Sequence, residues 1–345
     1  MTSAKPVHSL TVIIPLFNSE DWIVGTICEI LQEIETVQEY VELIIVNDGS
    51  TDQSIERIKH FQESGKIRII TTDNQGRFSA RATGVEQAES DYVVFIDSRV
   101  RLNPGSLKFI LDKLETYGIN QLWNAQVLLP SGLPNVSYFW EGIEFLAWRK
   151  HFRGPQEIAV KKEDLDFHPV GTTMFGAPRQ WLKDTNKLIK DSHTSVRNIS
   201  DDTKLIRHLA EFADLNYSQK FSCTYQPRTT SGGFASHAFH RGIVFVDGHL
   251  RKGGRYILPF LSVLVLQVLI AIMLVTRPVL TAIILGTSFA ILFLLLKSLN
   301  MPKRAQRALR TYGVVFVPAY FAGVIAGLKL RVKHSFSKMN ENNPK

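Results

Sequence analysis

In YVVFIDSRV, residues 92–100, an unbroken apolar run ends on an acidic side chain. Three further strand-like runs precede it: LTVIIPLF at 10–17, VELIIV at 41–46 and IRIIT at 67–71. A half-exposed strand alternates apolar and polar residues, whereas a strand buried on both faces is mostly apolar. The four runs therefore predict a mainly parallel sheet that is covered on both faces.

Segments with helical periodicity separate these runs. Apolar side chains recur every three or four residues between Trp22 and Ile34, and the predicted helices span 21–35, 53–61 and 80–89. Alternation of strands with helices of about ten to fifteen residues is typical of a doubly wound α/β domain. Such domains bind ligands at the carboxyl ends of their parallel strands.

Polar side chains follow every predicted strand. They are Asn18 after the first strand, Asn47–Asp52 after the second, Asp73–Arg77 after the third and Asp97–Arg99 after the fourth. A turn or a helix cap explains any one of these groups by itself. Four such groups at one sheet edge favour a ligand pocket, in which Asp48 would bond a base or ribose edge and Asp97 would face a phosphate-bound cation.

In order and spacing, four blocks of the sequence resemble the family 2 glycosyltransferases of the GT-A fold. The blocks are TVIIPLFN at 11–18, VNDGSTD at 46–52, NQGRFSARATGV at 74–85 and YVVFIDSRV at 92–100. The resemblance covers roughly residues 9–230. It implies a Rossmann-like α/β domain for nucleotide-diphospho-sugars and transfer of a sugar with inversion at the anomeric carbon.

The resemblance implies donor-side roles for five residues. Pro15 and Phe17 would line the nucleobase site, and Asp48 would bond the base. Arg81 would steady the acidic strand ends or the diphosphate. Asp97 matches the first aspartate of the family's DxD motif, which holds a divalent cation, Mg²⁺ or Mn²⁺, against the two phosphates.

Arg99 departs from this cation motif, because Asp97-Ser98-Arg99 has an arginine at the second acidic position. The change removes one oxygen ligand and adds a positive charge. Asp97 alone would suffice if phosphate oxygens and water complete the shell of Mg²⁺. Alternatively, Arg99 would neutralise the leaving diphosphate by a bidentate contact and make the cation dispensable. The sequence favours a retained but weakened metal site.

Two further blocks resemble the acceptor side of the family. GTTMFGA, which begins with Gly171 and Thr172, resembles the glycine-rich strand that borders the acceptor. SDDTKLIR at 200–207 resembles the family's Glu-Asp-xx-Leu-xx-Arg block, with Asp202 at the catalytic aspartate and Asp201 beside it. Inversion by single displacement needs a base that removes the proton of an acceptor hydroxyl, and a carboxylate can do so.

The block ahead of the apolar carboxy-terminal region differs from that of processive family members. It reads HAFHRG at 237–242 where those members carry Gln-xx-Arg-Trp, and the missing tryptophan favours addition of a single sugar. His237 and Arg241 would contact the diphosphate as the loop closes. Equally, they would face anionic lipid from an interfacial amphipathic helix.

Charge and hydropathy change sharply near residue 228. Residues 1–227 carry 24 basic and 30 acidic side chains, whereas residues 228–345 carry 16 and 2, so an even basic coat for nucleic acid is excluded. Two uncharged apolar runs, 257–276 and 279–296, are each long enough to cross about 30 Å of hydrocarbon as a helix. Because Lys and Arg flank the pair and only Arg277 lies between, both flanks should be cytoplasmic.

These observations predict four regions. They are a cytoplasmic GT-A catalytic domain at 1–230, a juxtamembrane interfacial segment at 231–256, two transmembrane helices at 257–296 and a basic tail at 297–345. The apolar part of the tail, 313–328, would be re-entrant, interfacial or a third membrane helix. Its Gly323 and Gly327 would let another helix approach closely.

Together these features predict an integral membrane enzyme with a cytoplasmic catalytic domain. No cleavable signal peptide is expected, and two separated cysteines, Cys28 and Cys223, fit a reducing cytosol. The enzyme would move one sugar from a nucleotide-diphosphate sugar to a membrane-associated, polyprenyl-linked acceptor in cell-envelope glycan or glycolipid synthesis. The alternative, favoured by Arg99, is a catalytically silent membrane-bound protein that binds nucleotide sugars or serves as a scaffold.

Overall fold

The computed structural model describes residues 10–149, 151, 156–192, 201–249, 257–299 and 301–341. The chain divides into two compact units. The first comprises Met1–Ser131 and Lys150–Pro227, and the second comprises Gly132–Arg149 and Arg228–Lys345. The second unit therefore includes a segment, Gly132–Arg149, that the sequence interpretation assigned to the 1–230 domain.

The first unit is built on an eight-stranded sheet. The strands of the chain are β1 (Leu10–Leu16), β2 (Val41–Asp48), β3 (Arg68–Thr72), β4 (Tyr92–Ile96), β5 (Val100–Leu102), β6 (Leu122–Asn124), β7 (Gln126–Leu128), β8 (Glu157–Val160), β9 (Met174–Pro178), β10 (Leu215–Ser218) and β11 (Ser222–Tyr225). The order in the main sheet is β3-β2-β1-β4-β9-β6-β10-β8, and a small sheet has the order β5-β11-β7. The four strands predicted from the sequence form one continuous parallel stretch, β3-β2-β1-β4, while β9 is antiparallel to β4 and β6, and β6 is parallel to β10.

Helices cover both faces of this sheet. Those of the first unit are α1 (Ile23–Ile34), α2 (Ser54–Glu63), α3 (Arg77–Gln87), α4 (Ser106–Tyr117), α6 (Arg179–Ser192) and α7 (Asp201–Leu209); α5 (Phe139–Ala147) belongs to the second unit. The helices predicted after the first three strands are all present. The third begins before its predicted start, directly after Gly76, whose φ of +96° is readily adopted only by glycine.

Successive residues of one strand pack on opposite faces of the sheet. In β1, Val12 and Ile14 lie in the cluster that includes the apolar faces of α1 and α4, whereas Ile13 lies in the cluster that includes those of α3, α6 and α7. In β4, Val94 and Phe95 divide in the same way. Both faces of these strands are buried, which is why the strands are apolar throughout.

The second unit consists of α5 and the four carboxy-terminal helices. These are α8 (Ser231–His249), α9 (Ile257–Thr276), α10 (Pro278–Ser298) and α11 (Lys303–Glu341). Small residues let α8 and α11 pack with their backbones in contact. A Cβ atom on Gly323 would lie 1.9 Å from the carbonyl oxygen of Phe239, and one on Gly242 would lie 2.1 Å from that of Tyr320. The close helix approach expected at Gly323 is confirmed.

The region 313–328 lies inside α11, a continuous helix that includes Pro318. Whether it is re-entrant, interfacial or a third membrane helix stays a prediction. By length and composition, Lys303–Val332 is the one helix among the described residues that could cross a membrane; it has 30 residues, and its most apolar 18-residue window has a mean hydropathy of 1.8. The two runs predicted as a hairpin do form helices, α9 and α10. Their crossing of a bilayer stays a prediction.

Candidate functional site

The ends of β1 and β2 are tied to one another by Asn18. This residue has a φ of +46°, a left-handed conformation that asparagine tolerates better than most side chains. Its side-chain Oδ1 accepts a hydrogen bond of 2.8 Å from the backbone amide of Thr51, and its backbone amide donates to Ser50 Oγ at 3.2 Å. Beside it, the ring of Phe17 is 45% exposed, so it is free to stack on a flat ligand. Pro15 lies two residues earlier in the chain, within β1.

Asp48 lies at the predicted rim, but its carboxylate already has partners. The side chain is buried, and its two oxygens accept hydrogen bonds of 2.8 Å each from the amides of Gln75 and Gly76. Asp48 therefore fastens the loop after β3 to the end of β2. Each carboxylate oxygen has a second lone pair, so a further donor from a ligand base is compatible with this geometry. The base contact itself stays a prediction.

The turn after β4 is held from several sides. Asp97 Oδ1 accepts the amide of Arg99 at 3.0 Å, and the amide of Asp97 donates to the carbonyl oxygen of Thr173 at 2.9 Å. Ser98 Oγ shares a hydrogen bond of 2.9 Å with Ser19 Oγ. The turn is thus joined both to the start of β9 and to the loop after β1.

Arg99 does not extend freely into solvent. Its guanidinium carbon lies 4.8 Å from the centre of the Trp22 ring, which is the geometry of a cation–π contact. Its Nε is buried and has no hydrogen-bond partner among the described residues. The role of Trp22 was missed in the sequence, because its helical spacing indicated only an apolar face.

The residues at this turn fit a weakly held cation and not a closed metal site. Asp97 is the only carboxylate of the turn, and one of its oxygens is bonded to the backbone. Within the described residues, no group of three or more His, Cys, Asp and Glu side chains could hold a metal ion. A divalent cation here would need phosphate oxygens and water to complete its shell, as Mg²⁺ commonly does.

Asp202 lies between two donors at the start of α7. Its Oδ1 accepts hydrogen bonds from Arg81 Nη1 at 3.2 Å and from Thr172 Oγ1. Arg81 and Thr172 are buried, whereas the Asp202 side chain is 29% exposed. The carboxylate is therefore oriented by protein donors while part of it faces outward. The side chain of Asp201 lies outside the described part of the structure.

One short segment brings Asp97 and Asp202 together. The carbonyl of Thr173 accepts the Asp97 amide, and the neighbouring Thr172 hydroxyl donates to Asp202. The amide of Gly171 donates to Asn124 Oδ1 at 3.2 Å, which anchors the segment to the end of β6. No sequence rule assigned this role to Asn124, because β6 and Gly171 are far apart in the chain.

The strand register carries Asp48 to the same edge. Leu16 pairs with Asn47, and Ile13 pairs with Phe95, so β2 ends about three residues beyond β4 at this edge. Neighbouring strands lie about 4.8 Å apart and rise about 3.3 Å per residue, which puts the ends of β2 and β4 roughly 14 Å from one another. That span suits a nucleotide whose base lies at one strand end and whose phosphates lie at the other.

His237 and Arg241 lie on α8 in the second unit. Arg241 Nε donates to His237 Nε2 at 3.3 Å, and both side chains contact the ring of Trp140. Their predicted contact with the donor diphosphate stays a prediction.

The sequence and the fold define the class of the chain. Residues 11–176 match the family model described as Glycosyl transferase family 2. The mannosyltransferase PcManGT from Pyrobaculum calidifontis, solved with GDP-Man and Mn²⁺, superposes with a TM-score of 0.57 over 92% of this chain and 86% of that one, at 14% identity. Residues 11–176 therefore form a family 2 glycosyltransferase domain, the domain of a family of transferases, and the chain has a GT-A-like α/β fold.

Relatives match over short regions. A teichoic acid poly(glycerol phosphate) polymerase of Staphylococcus epidermidis is 38% identical over 112 residues, which are 31% of this chain and 15% of that protein. An undecaprenyl-phosphate 4-deoxy-4-formamido-L-arabinose transferase of Proteus mirabilis is 28% identical over 107 residues, 30% of this chain and 33% of that protein. The uncharacterized glycosyltransferase YibD of Escherichia coli is 32% identical over 122 residues, 34% of this chain and 35% of that protein. The chain therefore spans about a third or less of the length of these relatives.

Proposed function

We propose that this chain is an inverting glycosyltransferase that moves one sugar from a nucleotide-diphosphate sugar to a membrane-associated, polyprenyl-linked acceptor. The observation that carries the proposal is the position of Asp202, which Arg81 and Thr172 orient beside the segment that also bonds Asp97. A base and a phosphate-side carboxylate thus share one rim. The product would be a cell-envelope glycan or a glycolipid.

On the donor side, Phe17 offers an exposed ring for the base, with Pro15 behind it, and Asp48 offers acceptor lone pairs. Asp97 would hold a divalent cation, and the cation would neutralise charge on the diphosphate that leaves. Mn²⁺ accompanies GDP-Man in the mannosyltransferase of similar fold, which supports a cation in this family. Arg99 adds a fixed positive charge next to Asp97.

On the acceptor side, Asp202 would take the proton from an acceptor hydroxyl. The acceptor oxygen then bonds to the anomeric carbon while the bond from that carbon to the diphosphate breaks on the opposite face. Arg81 and Thr172 keep the carboxylate turned toward the proton by donating to one of its oxygens. Such a base typically contributes about 10²- to 10⁴-fold to a rate.

The lipid-linked acceptor rests on the apolar helices and on one relative. Lys303–Val332 has the length and composition of a membrane span, and one relative is by name an undecaprenyl-phosphate transferase. The excess of Lys and Arg around α9 and α10 supports a cytoplasmic catalytic domain. An acceptor phosphate is already ionised and would not need Asp202, whereas a sugar hydroxyl would.

The test is transfer by the purified full chain in detergent, with a panel of nucleotide sugars chosen by the thermal shift that each produces. We expect one donor to raise the melting temperature and Asp202→Asn to lower kcat about 10²-fold or more without loss of that shift. Asp214→Asn, an exposed change at a similar position in the chain, is the matched control.

Full activity of Asp202→Asn would exclude the hydroxyl-acceptor mechanism and leave a phosphate acceptor. A donor shift with no turnover on any lipid-linked acceptor would favour the silent binding protein. No shift with any nucleotide sugar would contradict the proposal as a whole.

A further inference from the structure

Four polar side chains face one another between α5 and α8. Trp140 and Glu144 are four residues apart on α5, and His237 and Arg241 are four residues apart on α8. Residues at this spacing lie on the same face of a helix, one turn apart. Because both helices belong to the second unit, the cluster is independent of the sheet and of Asp202.

Trp140 lies at the centre of the cluster. The guanidinium carbon of Arg241 is 5.4 Å from its ring centre, and the ring of His237 is 5.3 Å away. On its other sides, the rings of Phe139, Phe234 and Phe316 pack at 5.9, 6.5 and 5.6 Å. These aromatic rings bury the indole N–H of Trp140, whereas the side chain of Arg241 is exposed at the edge of the cluster.

Several hydrogen-bonding groups of the cluster are unused. Trp140 Nε1 is buried and has no partner within the described residues. Arg241 forms no ion pair with a carboxylate in the described part of the chain, and its guanidinium bonds only His237. Glu141, by contrast, is paired with Arg304 of α11 at 2.7 Å. A buried indole N–H and an unneutralised guanidinium side by side are the donors that an anion requires.

Glu144 makes this site dependent on protonation. Burial raises the pKa of its carboxyl to about 7, the charge of Arg241 opposes that rise, and the charge of Glu141 adds to it. An ionised Glu144 would repel an anion, whereas the neutral acid can donate a hydrogen bond to one. An anion bound here would raise the pKa further, since like charges disfavour ionisation.

We propose that Trp140, Arg241 and Glu144 form a binding site for the phosphate group of a lipid, in which Trp140 and Arg241 donate hydrogen bonds and Glu144 takes part as the neutral acid. The occupant is a lipid because α11, which packs on α8 and contributes Phe316, includes the apolar helix Lys303–Val332. The membrane placement rests on the proposed function. The phosphate could belong to a bilayer phospholipid or to a polyprenyl phosphate, since both carry the same group on an apolar tail.

The experiment measures binding to the purified full chain in detergent, by the thermal shift with increasing short-chain phosphatidylglycerol. Its phosphodiester keeps one negative charge from pH 6 to pH 8, so any pH dependence belongs to the protein. Farnesyl phosphate, phosphatidylcholine and inorganic phosphate are the other probes. We expect the two anionic lipids to bind, and phosphatidylcholine and inorganic phosphate to bind at least tenfold more weakly.

Three variants test the three groups. Arg241→Gln should raise the apparent Kd for phosphatidylglycerol about tenfold or more, and Trp140→Phe, which keeps a ring and removes only the N–H, should raise it severalfold. The exposed Arg307→Gln in the same unit removes an equal charge and should leave it unchanged. For the wild type the Kd should rise about tenfold from pH 6 to pH 8, and Glu144→Gln should abolish that dependence.

The neighbouring charges set the controls for the pH series. His237 also gains charge as the pH falls, and Glu141 is held by Arg304. If Glu144→Gln keeps the pH dependence, His237 causes it and the role given to Glu144 is wrong. Equal binding of inorganic phosphate would show a free-anion site and would overturn the lipid assignment, as would unchanged binding in Arg241→Gln and Trp140→Phe.

The two lipids separate the sources of the phosphate. Binding of farnesyl phosphate at least tenfold tighter than phosphatidylglycerol indicates the acceptor, and equal binding indicates the bilayer. If a nucleotide sugar raises the melting temperature but neither lipid binds, the proposed lipid site is wrong and the proposed transferase function stands. If a lipid binds but no nucleotide sugar raises the melting temperature, the lipid site stands and the proposed transferase function is wrong.

Discussion

Arg99 occupies the position of the second acidic ligand of a cation motif, and its guanidinium lies on the ring of Trp22. At the residue scale, this contact holds the positive charge of Arg99 next to Asp97 without an ion pair that would occupy the Asp97 carboxylate. A single contact of this kind contributes about 0.5–1 kcal/mol at an exposed site and more when it is desolvated. The buried Nε of Arg99 indicates the second case.

Arg99→Asp should strengthen cation binding. The change removes a positive charge and supplies a second carboxylate, which is the ligand that hard divalent cations prefer. We expect the Mn²⁺ concentration for half-maximal donor-induced stabilisation to fall about tenfold. Arg101→Asp, a similar charge change on β5, should leave it unaltered. An unchanged Mn²⁺ requirement in Arg99→Asp would show that Asp97 does not face the cation.

A pair of histidines makes the first unit sensitive to acid. His151 Nδ1 and His168 Nδ1 lie 2.8 Å apart, and both rings contact Tyr217, whose hydroxyl donates to the carbonyl of Pro169. Burial, and then the charge of His168, lowers the pKa of His151 to about 4; burial lowers that of His168, against the charge of Asp164.

Stability should therefore fall as the pH falls from about 6.5 toward 4. The unfolded chain takes up protons at the ordinary histidine pKa, before the folded chain does, so acid favours unfolding. With allowance for solvent around the pair, the loss is about 1–2 kcal/mol. Across this range, the dependence of the melting temperature on pH should become flatter in the double variant His151→Asn/His168→Asn, and it should not change in the exposed His60→Asn. A profile that does not flatten would contradict the assignment.

At the scale of elements, the segment Gly171–Thr173 does most to assemble the site. It lies just before β9, and its backbone and side chains bond Asn124, Asp97 and Asp202. Three distant parts of the chain meet there because β9 runs antiparallel between β4 and β6. The sequence indicated the segment by resemblance only, since antiparallel insertion of a five-residue strand leaves no periodic signal.

The packing of α8 on α11 depends on Gly323. Gly323→Ala would place a Cβ atom 1.9 Å from the carbonyl oxygen of Phe239, so the helices must separate. We expect a loss of about 1–3 kcal/mol, the usual cost of overpacking, seen as a lower melting temperature in detergent. Gly313→Ala in the same helix meets no atom within 4 Å and should be neutral or slightly stabilising. Equal effects of the two changes would contradict this close packing.

At the scale of the whole molecule, the sequence predicts the parallel half of the fold well. β1, β2 and β4 are mostly apolar because helices bury both of their faces, whereas β3 is a partly exposed edge strand; the polar ends of all four strands follow the pattern in the sequence. The rest was out of reach for a physical reason. β5, β6 and β7 have three residues each, which is too short for a period-two pattern to be recognised.

The second unit shows the same limit. Its α5 joins the carboxy-terminal helices through contacts such as the ion pair between Glu141 and Arg304, which are 163 residues apart. Amphipathic periodicity predicts that a helix has a buried face, but it does not name the partner of that face. The donor-side residues were predictable as a group, while the partners that orient Arg99 and Asp202 were visible only in the fold.

We propose that the strand ends at one rim jointly bind the diphosphate of an activated sugar. Calorimetric titration of the full chain with UDP and with GDP, in the presence of Mn²⁺, tests it most directly. We predict saturable binding of one of them to a single site, weakened about tenfold or more by Asp97→Asn and unchanged by the exposed Asp112→Asn. Binding that is indifferent to Asp97→Asn, or no binding of either nucleotide, would contradict the account.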